Sequence, residues 1–181
     1  IYHQTFGYHT YERDKLVSKQ DVYDVASVTK IAATTICGMK MYDEGLYKIS
    51  DSLKDHLPDS LTETLGYKSR MWNTTFKELF THTSGLPSGL PIYKFIAYVD
   101  SVIGKFDRYY CDESDGYYCV EVARDFYLDS TYLDSMWISM NRILPGEKKY
   151  KYSDANMNML YQLFRSKLKE VSFDRYMANQ F

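Results

Sequence analysis

Between Ser27 and about Asp43, mostly apolar residues recur every three or four positions: Val28, Ile31, Ala32, Thr35, Ile36 and Met39. Residues at this spacing lie on one face of an α-helix, so the segment is predicted to be helical. Gly45 is suited to end this helix, because glycine readily adopts the left-handed conformation at a helix C-terminus. We call residues 27–45 the serine helix.

Before this helix, apolar and polar residues alternate along the chain. Tyr2–Tyr11 and Gln20–Val25 read as two strands on either side of the charged turn at residues 12–15. Residues 1–26 are therefore predicted to form a β-hairpin that leads into the serine helix.

Residues 46–181 are predicted to be mainly helical. A loop with one helical turn closes at Pro58, and Thr75 and Glu78 have the spacing of a capping box before a short apolar helix. Glycine and proline then force a turn at residues 82–87. Helical periodicity returns at residues 92–104 and, more loosely, at 117–128 and 132–143.

In the C-terminal part, an interruption of the helical periodicity separates the preceding helices from the last two. Pro145 and Gly146 interrupt the periodicity, residues 150–154 extend the chain, and a helix follows through Leu168. Ser172 is expected to cap one more helix. The pattern predicts one α+β domain over residues 1–181, with the hairpin at 1–26, the serine helix at 27–45 and the helical region at 46–181.

Composition narrows the function classes. The chain has 181 residues, 45% of them hydrophobic and 25% charged, which is typical of a globular domain. A net charge of −2 provides no basic surface for nucleic acid. No apolar run reaches the roughly 20 residues that cross a bilayer. We expect neither nucleic-acid binding nor a membrane span.

The cysteines and histidines do not form a recognisable metal site. Cys37, Cys111 and Cys119 lack metal-ligand spacing, and His3 with His9 is weak evidence for a metal pair. We expect no metal and no cofactor. Cys111 and Cys119 bracket a polar loop, and a disulfide and two free thiols are equally compatible with this arrangement.

Ser27 and Lys30 could carry chemistry. Three positions apart on a helix, they share a face, and the helix N-terminus favours a developing negative charge at Ser27. If Lys30 is buried against Ala26, Ile31 and Thr34, desolvation lowers its pKa and allows it to act as a base. The alternative is a helix-capping serine beside an exposed lysine. Ser166 precedes Lys169 with the same spacing, but it lies inside a helix and is discounted.

Tyr152 and Asp154 form the second candidate. A tyrosine just before a helix can direct its hydroxyl into a cleft, or it can simply pack. Asp154 is expected to be the helix N-cap residue. His82 lies too near Ser84 for a normal Ser-His-Asp triad, so we expect it to tie its loop together.

Three stretches together resemble a known family. Residues 25–30 (VASVTK), 79–87 (LFTHTSGLP), and Pro145-Gly146 followed by Tyr152-Ser153-Asp154 occur in the order seen in serine beta-lactamases and penicillin-binding proteins. The likeness is to the branch of class C beta-lactamase-like hydrolases, DD-peptidases and esterases, and it covers residues 1 to about 175.

The resemblance implies a function for each residue. Ser27 would form an acyl-enzyme with a beta-lactam, a D-Ala-D-Ala peptide or a small ester, Lys30 would accept its proton, and Tyr152 would pass a proton to the leaving group. Asp154 stands where relatives usually have asparagine and would contact the substrate. Such proteins act in the periplasm or outside the cell.

The resemblance also implies a beta-lactamase/transpeptidase-like fold of which this chain holds the N-terminal half to two-thirds. No Lys/His-Ser/Thr-Gly triplet follows Tyr152, and most of the sheet is missing. We therefore expect a weakly active or inactive fragment that the remaining domain or a second copy completes. The alternative function is a non-catalytic module that binds peptidoglycan or another glycan.

Overall fold

The computed structural model describes residues 2–57, 70–89, 110–131, 143–168 and 171–179. Within these ranges the helices are a π-helix Lys30–Thr35, α1 Ile36–Asp43, 3-10 turns Leu53–Asp55 and Arg70–Asn73, α2 Phe76–Phe80, α3 Asp154–Leu168 and α4 Phe173–Ala178. The strands are β1 Tyr110–Cys111, β2 Tyr118–Ala123 and β3 Phe126–Asp129. This mixture confirms the α+β class. The predicted helix at residues 92–104, and the one at 132–143 except for its last residue, lie outside the described residues.

The serine helix is present and contains a wide first segment. Backbone hydrogen bonds of the π-helix Lys30–Thr35 span five residues, and the Thr35 hydroxyl donates to the Lys30 carbonyl at 2.8 Å. The segment continues directly into α1. Gly45 ends the helix with φ +73°, and the N–H groups of Gly45 and Leu46 donate to the carbonyls of Tyr42 and Met41. The predicted glycine stop is confirmed.

The apolar residues that mark this helix in the sequence do not form its buried face. Val28, Ile31 and Met39 are 59%, 70% and 66% exposed, whereas Cys37 and Met41 are fully buried. The reason lies at Gly38: a Cβ there would stand 2.5 Å from the ring of Phe80 and 3.0 Å from that of Phe164. Because Gly38 has no side chain, both aromatic rings can pack against this side of the helix, and this side is therefore the buried one.

Aromatic and aliphatic side chains from α1, α2, α3 and the segments between α1 and α2 form most of the core. Tyr47 stacks on Phe76 with 4.2 Å between ring centroids, and its hydroxyl donates to the Gly38 carbonyl at 2.7 Å. Phe164 packs against both rings. The fully buried members also include Leu53, Met71, Leu79, Met159, Leu160 and Leu163. This core fixes α3 against the serine helix.

The capping box before α2 is confirmed. The Glu78 N–H donates to the Thr75 hydroxyl at 3.2 Å, and the Thr75 N–H donates to the Glu78 carboxylate at 2.9 Å. The predicted single turn before Pro58 is also present, as Leu53–Asp55. Helices α3 and α4 lie where periodicity placed them, and Ser172 is the N-cap residue of α4.

The predicted helix at residues 117–128 is wrong, because strands β2 and β3 occupy most of this range. β2 and β3 pair antiparallel around a tight turn in which Asp125 has φ +54°, and β1 pairs with the other edge of β3. Alternation in the sequence YCVEV and strong β-propensity outweigh the loose helical spacing. Cys111 and Cys119 are both free. In the order β1-β3-β2, β3 lies between the strands that carry them.

The predicted N-terminal hairpin is only partly formed. The chain does turn back, because the Tyr8–Leu16 bridge is flanked by a bond from the His9 N–H to the Lys15 carbonyl at 2.9 Å. Within residues 2–25, however, neither predicted strand develops, and residues 20–25 form no ladder. Tyr2 and Tyr11 are 79% and 102% exposed, so these aromatic side chains are not buried against another layer that would stabilise a two-stranded ladder.

Across the described ranges, the structure has no helix with both the length and the hydrophobicity that a membrane span requires.

Candidate active site

Ser27 lies at the entrance of the serine helix, on an exposed and bent piece of backbone. Ala26 has φ +43°, and its N–H donates to the Asp24 carboxylate at 2.7 Å. The N–H groups of Thr29 and Lys30 then donate to the carbonyls of Ala26 and Ser27, each at 3.1 Å. Such left-handed geometry is costly for alanine and is concentrated at functional sites. It presents the Ser27 hydroxyl to solvent.

The structure brings Ser27, Lys30 and Tyr152 together. The Lys30 ammonium donates to the Ser27 hydroxyl oxygen at 2.9 Å, and the Tyr152 hydroxyl donates to the same oxygen at 2.9 Å. Lys30 also lies over the Tyr152 ring, 5.3 Å from its centroid. The Ser27 oxygen is therefore at the centre of two polar contacts from different parts of the chain. This arrangement is unlike the alternative of a capping serine beside an exposed lysine.

Lys30 is an ammonium ion with a partner, contrary to the expectation of a desolvated neutral amine. Its Nζ lies 2.8 Å from Oδ1 of Asp154, and its side chain is 19% exposed. The hydrogen bond to Asp154 raises the pKa of Lys30, against the opposing effect of burial. The predicted decrease of this pKa is wrong, because an adjacent carboxylate favours the charged form.

The pKa of Tyr152 is shifted in the opposite direction to that of Lys30. The hydrogen bond to Ser27 and then the contact with Lys30 lower the pKa of its hydroxyl below the ordinary tyrosine value. Its ring is 43% exposed and packs on His82, with 4.9 Å between centroids. A tyrosine whose phenolate is favoured in this way can accept a proton from a neighbouring hydroxyl.

His82 holds the tyrosine segment in place, as expected from the sequence. Its Nδ1 accepts the Ser153 N–H at 3.1 Å, and its carbonyl accepts the Lys151 N–H at 2.8 Å. Because Nδ1 accepts a backbone N–H, the ring is neutral with its proton on Nε2. Burial, followed by the charge of Lys30, lowers the pKa of His82 and maintains this state.

A second set of hydrogen bonds holds the loop that carries His82, and the sequence did not predict it. The buried Ser84 hydroxyl donates to the Asn156 side-chain oxygen at 2.6 Å and accepts the Leu86 N–H at 3.1 Å. Gly146 donates its N–H to the Gly85 carbonyl at 2.9 Å. Ser84 belongs to the stretch 79–87 that resembles the family, whereas nothing in the sequence distinguishes Asn156 from a solvent-facing helical residue.

Asp154 is the first residue of α3, so its predicted place as N-cap is corrected. Ser153 precedes the helix, and its hydroxyl accepts the Asn156 N–H at 3.4 Å while donating to the Pro87 carbonyl at 2.5 Å. The Asp154 N–H donates to the Ser88 carbonyl at 2.8 Å. The carboxylate is thereby directed toward Lys30.

A cavity of about 530 Å³ adjoins the Lys30–Asp154 pair, between the serine helix, α3 and α4. Its walls are largely apolar and include Ala33, Met157, Tyr161 and Phe173. Within the part of the chain that the structure describes, no group of acidic, histidine or cysteine side chains could hold a metal ion. His9 instead lies 2.8 Å from Asp21.

Comparison with known proteins gives one match. The family model described as Beta-lactamase matches residues 1–181. No curated protein and no solved structure matches the chain.

Proposed function

The chain belongs to the beta-lactamase family, and on that premise we propose that it is a serine hydrolase in which Ser27 is acylated. The substrate would be a beta-lactam, a D-Ala-D-Ala peptide or a small ester. The observation that carries the proposal is that Lys30 Nζ and the Tyr152 hydroxyl both lie 2.9 Å from the Ser27 oxygen. A serine becomes an effective nucleophile when a neighbouring group can take its proton.

In the proposed reaction, the half-exposed Tyr152 hydroxyl first loses its proton to solvent. The Ser27 oxygen then forms a bond to the substrate carbonyl carbon while its own proton passes to the Tyr152 phenolate. Lys30, as an ammonium ion, stabilises the negative charge that moves between these two oxygens. The backbone N–H of Ser27 would be one donor to the oxyanion. When the carbon–nitrogen or carbon–oxygen bond breaks, the leaving group takes the proton back from Tyr152. Water then hydrolyses the acyl-enzyme.

Acylation is tested by intact mass after incubation with a fluorescent penicillin and, separately, with a fluorophosphonate. We expect one adduct on the unaltered protein and none on Ser27→Ala. Ser166→Ala is the matched control, because Ser166 belongs to the second Ser-x-x-Lys pattern but its hydroxyl donates to the Leu163 carbonyl at 2.8 Å. An adduct that survives Ser27→Ala would contradict the proposal.

Tyr152→Phe tests the proton acceptor. The substitution keeps the ring against His82 and removes the hydroxyl, so we expect the acylation rate to fall by about 10²- to 10⁴-fold, the usual contribution of a general base. The rate of adduct formation measures this. A decrease smaller than about threefold would exclude Tyr152 from proton transfer.

Cell-wall peptides as substrates would place the reaction in the periplasm or outside the cell, as the resemblance implies. The alternative function, a non-catalytic module that binds peptidoglycan or another glycan, predicts saturable muropeptide binding without any adduct. Muropeptide titration by calorimetry on the Ser27→Ala variant separates binding from acylation.

A further inference from the structure

We propose that Lys167 is a second nucleophile of this chain, an amine that His56 and Asp51 activate for acylation by a small acyl phosphate. The three side chains meet where the C-terminal end of α3 contacts the turn that ends at His56. None of them takes part in the reaction proposed for Ser27, so this inference is independent of that reaction.

The three side chains form a hydrogen-bonded row. Nζ of Lys167 lies 2.7 Å from Nδ1 of His56, and Nε2 of the same ring lies 2.7 Å from Oδ2 of Asp51. Because an ionised carboxylate only accepts hydrogen bonds, the proton of a neutral His56 ring is on Nε2, and Nδ1 presents its lone pair to the lysine. Carboxylate, imidazole and nucleophile follow one another in the same order as in a Ser-His-Asp triad, with an amine in place of the hydroxyl.

The carboxylate at the end of the row is ionised and held in place. The Lys48 N–H donates to Asp51 at 2.9 Å, and this bond and then the one from His56 lower the pKa of Asp51. Asp55 is a second carboxylate beside the ring, and it accepts the Ser52 hydroxyl at 2.6 Å. A carboxylate that contacts an imidazole orients the ring and stabilises the imidazolium that forms when the ring accepts a proton.

Partial burial favours the reactive form of Lys167. Burial lowers the pKa of Lys167, against the opposing charge of Asp51. Lys54, on the neighbouring turn, donates to the Asn73 side-chain oxygen at 3.2 Å. An amine attacks a carbonyl carbon only in its neutral form, so a lower pKa increases the fraction of lysine that can react near neutral pH.

The fold fixes both parts of the site. The His56 N–H donates to the Leu53 carbonyl at 3.1 Å, and its ring meets the Phe76 ring edge-on, with 5.2 Å between centroids. On the other side, Phe164 anchors α3 in the core one turn before Lys167. The His56 side chain is only 12% exposed. Because the base is largely enclosed, we assign a small acyl group to this site.

In the proposed modification, the Lys167 nitrogen forms a bond to the carbonyl carbon of the acyl phosphate. The proton that the nitrogen loses passes to Nδ1 of His56, and Asp51 stabilises the resulting imidazolium. The bond between the carbonyl carbon and the phosphate oxygen breaks, and inorganic phosphate leaves with the electron pair. The product is an N-acyl lysine, and His56 returns its proton to solvent.

Acetyl phosphate tests the proposal on the unaltered protein. Peptide mass spectrometry gives the acetylation rate of each lysine at a series of pH values, and the exposed Lys77 of α2 is the internal reference. We expect Lys167 to react faster than Lys77 near neutral pH and to reach its half-maximal rate at lower pH. A rate equal to or below that of Lys77, or a midpoint at the same or higher pH, would overturn the proposal.

His56→Asn separates a base from a purely structural link, because its amide oxygen can accept a hydrogen bond from Lys167 but cannot take a proton. His9→Asn is the matched control, since His9 also lies 2.8 Å from an aspartate, Asp21. A positioned general base contributes about 10²- to 10⁴-fold in enzymes, so we expect His56→Asn to slow acetylation of Lys167 by at least about tenfold. Lys77 in the same protein, and Lys167 in His9→Asn, should react at unchanged rates.

A smaller decrease in His56→Asn would overturn the assignment of His56 as the base. Urea unfolding checks that the variant is folded. If it is not, the pH profile of Lys167 in the unaltered protein still decides between an activated amine and a structural link.

Discussion

Replacement of Gly85 by alanine tests whether the loop of residues 82–87 fits tightly against the segment that leads to Tyr152. Gly85 has φ +80°, and a Cβ at this position would lie 2.6 Å from the Gly146 carbonyl oxygen and 3.2 Å from that of Glu147. Both neighbours are backbone atoms, so the clash cannot be relieved by a side-chain rotation. Gly85 also accepts the Gly146 N–H at 2.9 Å.

The magnitude follows from comparison with Gly45, which has φ +73° and no atom within 4 Å of a Cβ. Gly45→Ala measures the left-handed strain alone, about 1 kcal/mol. Gly85→Ala carries the same strain together with overpacking of about 1–3 kcal/mol. The effect of alanine on the unfolded chain is common to both variants and cancels in the difference. We therefore expect Gly85→Ala to lower the free energy of unfolding by about 1–3 kcal/mol more than Gly45→Ala.

Urea unfolding followed by circular dichroism gives both free energies, and the rate of fluorophosphonate labelling of Ser27 gives the consequence at the site. We expect labelling to slow in Gly85→Ala and to remain normal in Gly45→Ala, because displacement of Gly146 moves the segment that carries Tyr152. If Gly85→Ala costs no more stability than Gly45→Ala, the close fit between the two segments is refuted.

Two further changes concern stability. Thr75→Ala removes the cap of α2 and should cost about 0.5–2 kcal/mol in urea unfolding, whereas Thr81→Ala, whose exposed hydroxyl donates to Lys77, serves as control. Burial lowers the pKa of Lys167, whose Nζ lies 2.7 Å from Nδ1 of His56, against the opposing charge of Asp51. Between its folded pKa and its unfolded value of 10.5, the unfolded chain binds the extra proton, so stability rises with pH in that window. Lys167→Met should lack this rise in urea midpoints measured up to pH 10.5, and an identical rise in both proteins would contradict the assignment.

Local signals in the sequence predicted local structure well. The Thr75–Glu78 capping box, the glycine stop at Gly45 and the helix that begins at Asp154 each depend on residues a few positions apart. The candidate residues Ser27, Lys30 and Tyr152 were chosen from motifs, and the fold brings them together across 125 positions. Those motifs indicate which residues meet and say little about their charge.

The remaining features depend on contacts distant in sequence. The buried face of the serine helix is decided at Gly38 by Phe80 and Phe164, and the helix is apolar on more than one side, so periodicity could not choose. Asp154 raises the pKa of Lys30, whereas from the sequence Asp154 was expected to be a helix cap and a substrate contact. Residues 118–129 form strands because β3 pairs on both edges, and spacing within one segment cannot reveal such partners.

Because residues Lys30–Thr35 form a π-helix, the number of residues in this segment determines which way the rest of the serine helix faces. A five-residue hydrogen-bond span contains one residue more than an α-helical span, so everything after Thr35 is advanced by about 100° in rotational phase. This offset falls between Ser27 and Lys30, which contact Tyr152 and Asp154, and Cys37 and Met41, which are buried in the core. Deletion of one residue between Ile31 and Thr34 would restore α-helical phase and turn one of these two faces away from its partners. The segment therefore tolerates exchange of side chains more readily than a change in their number.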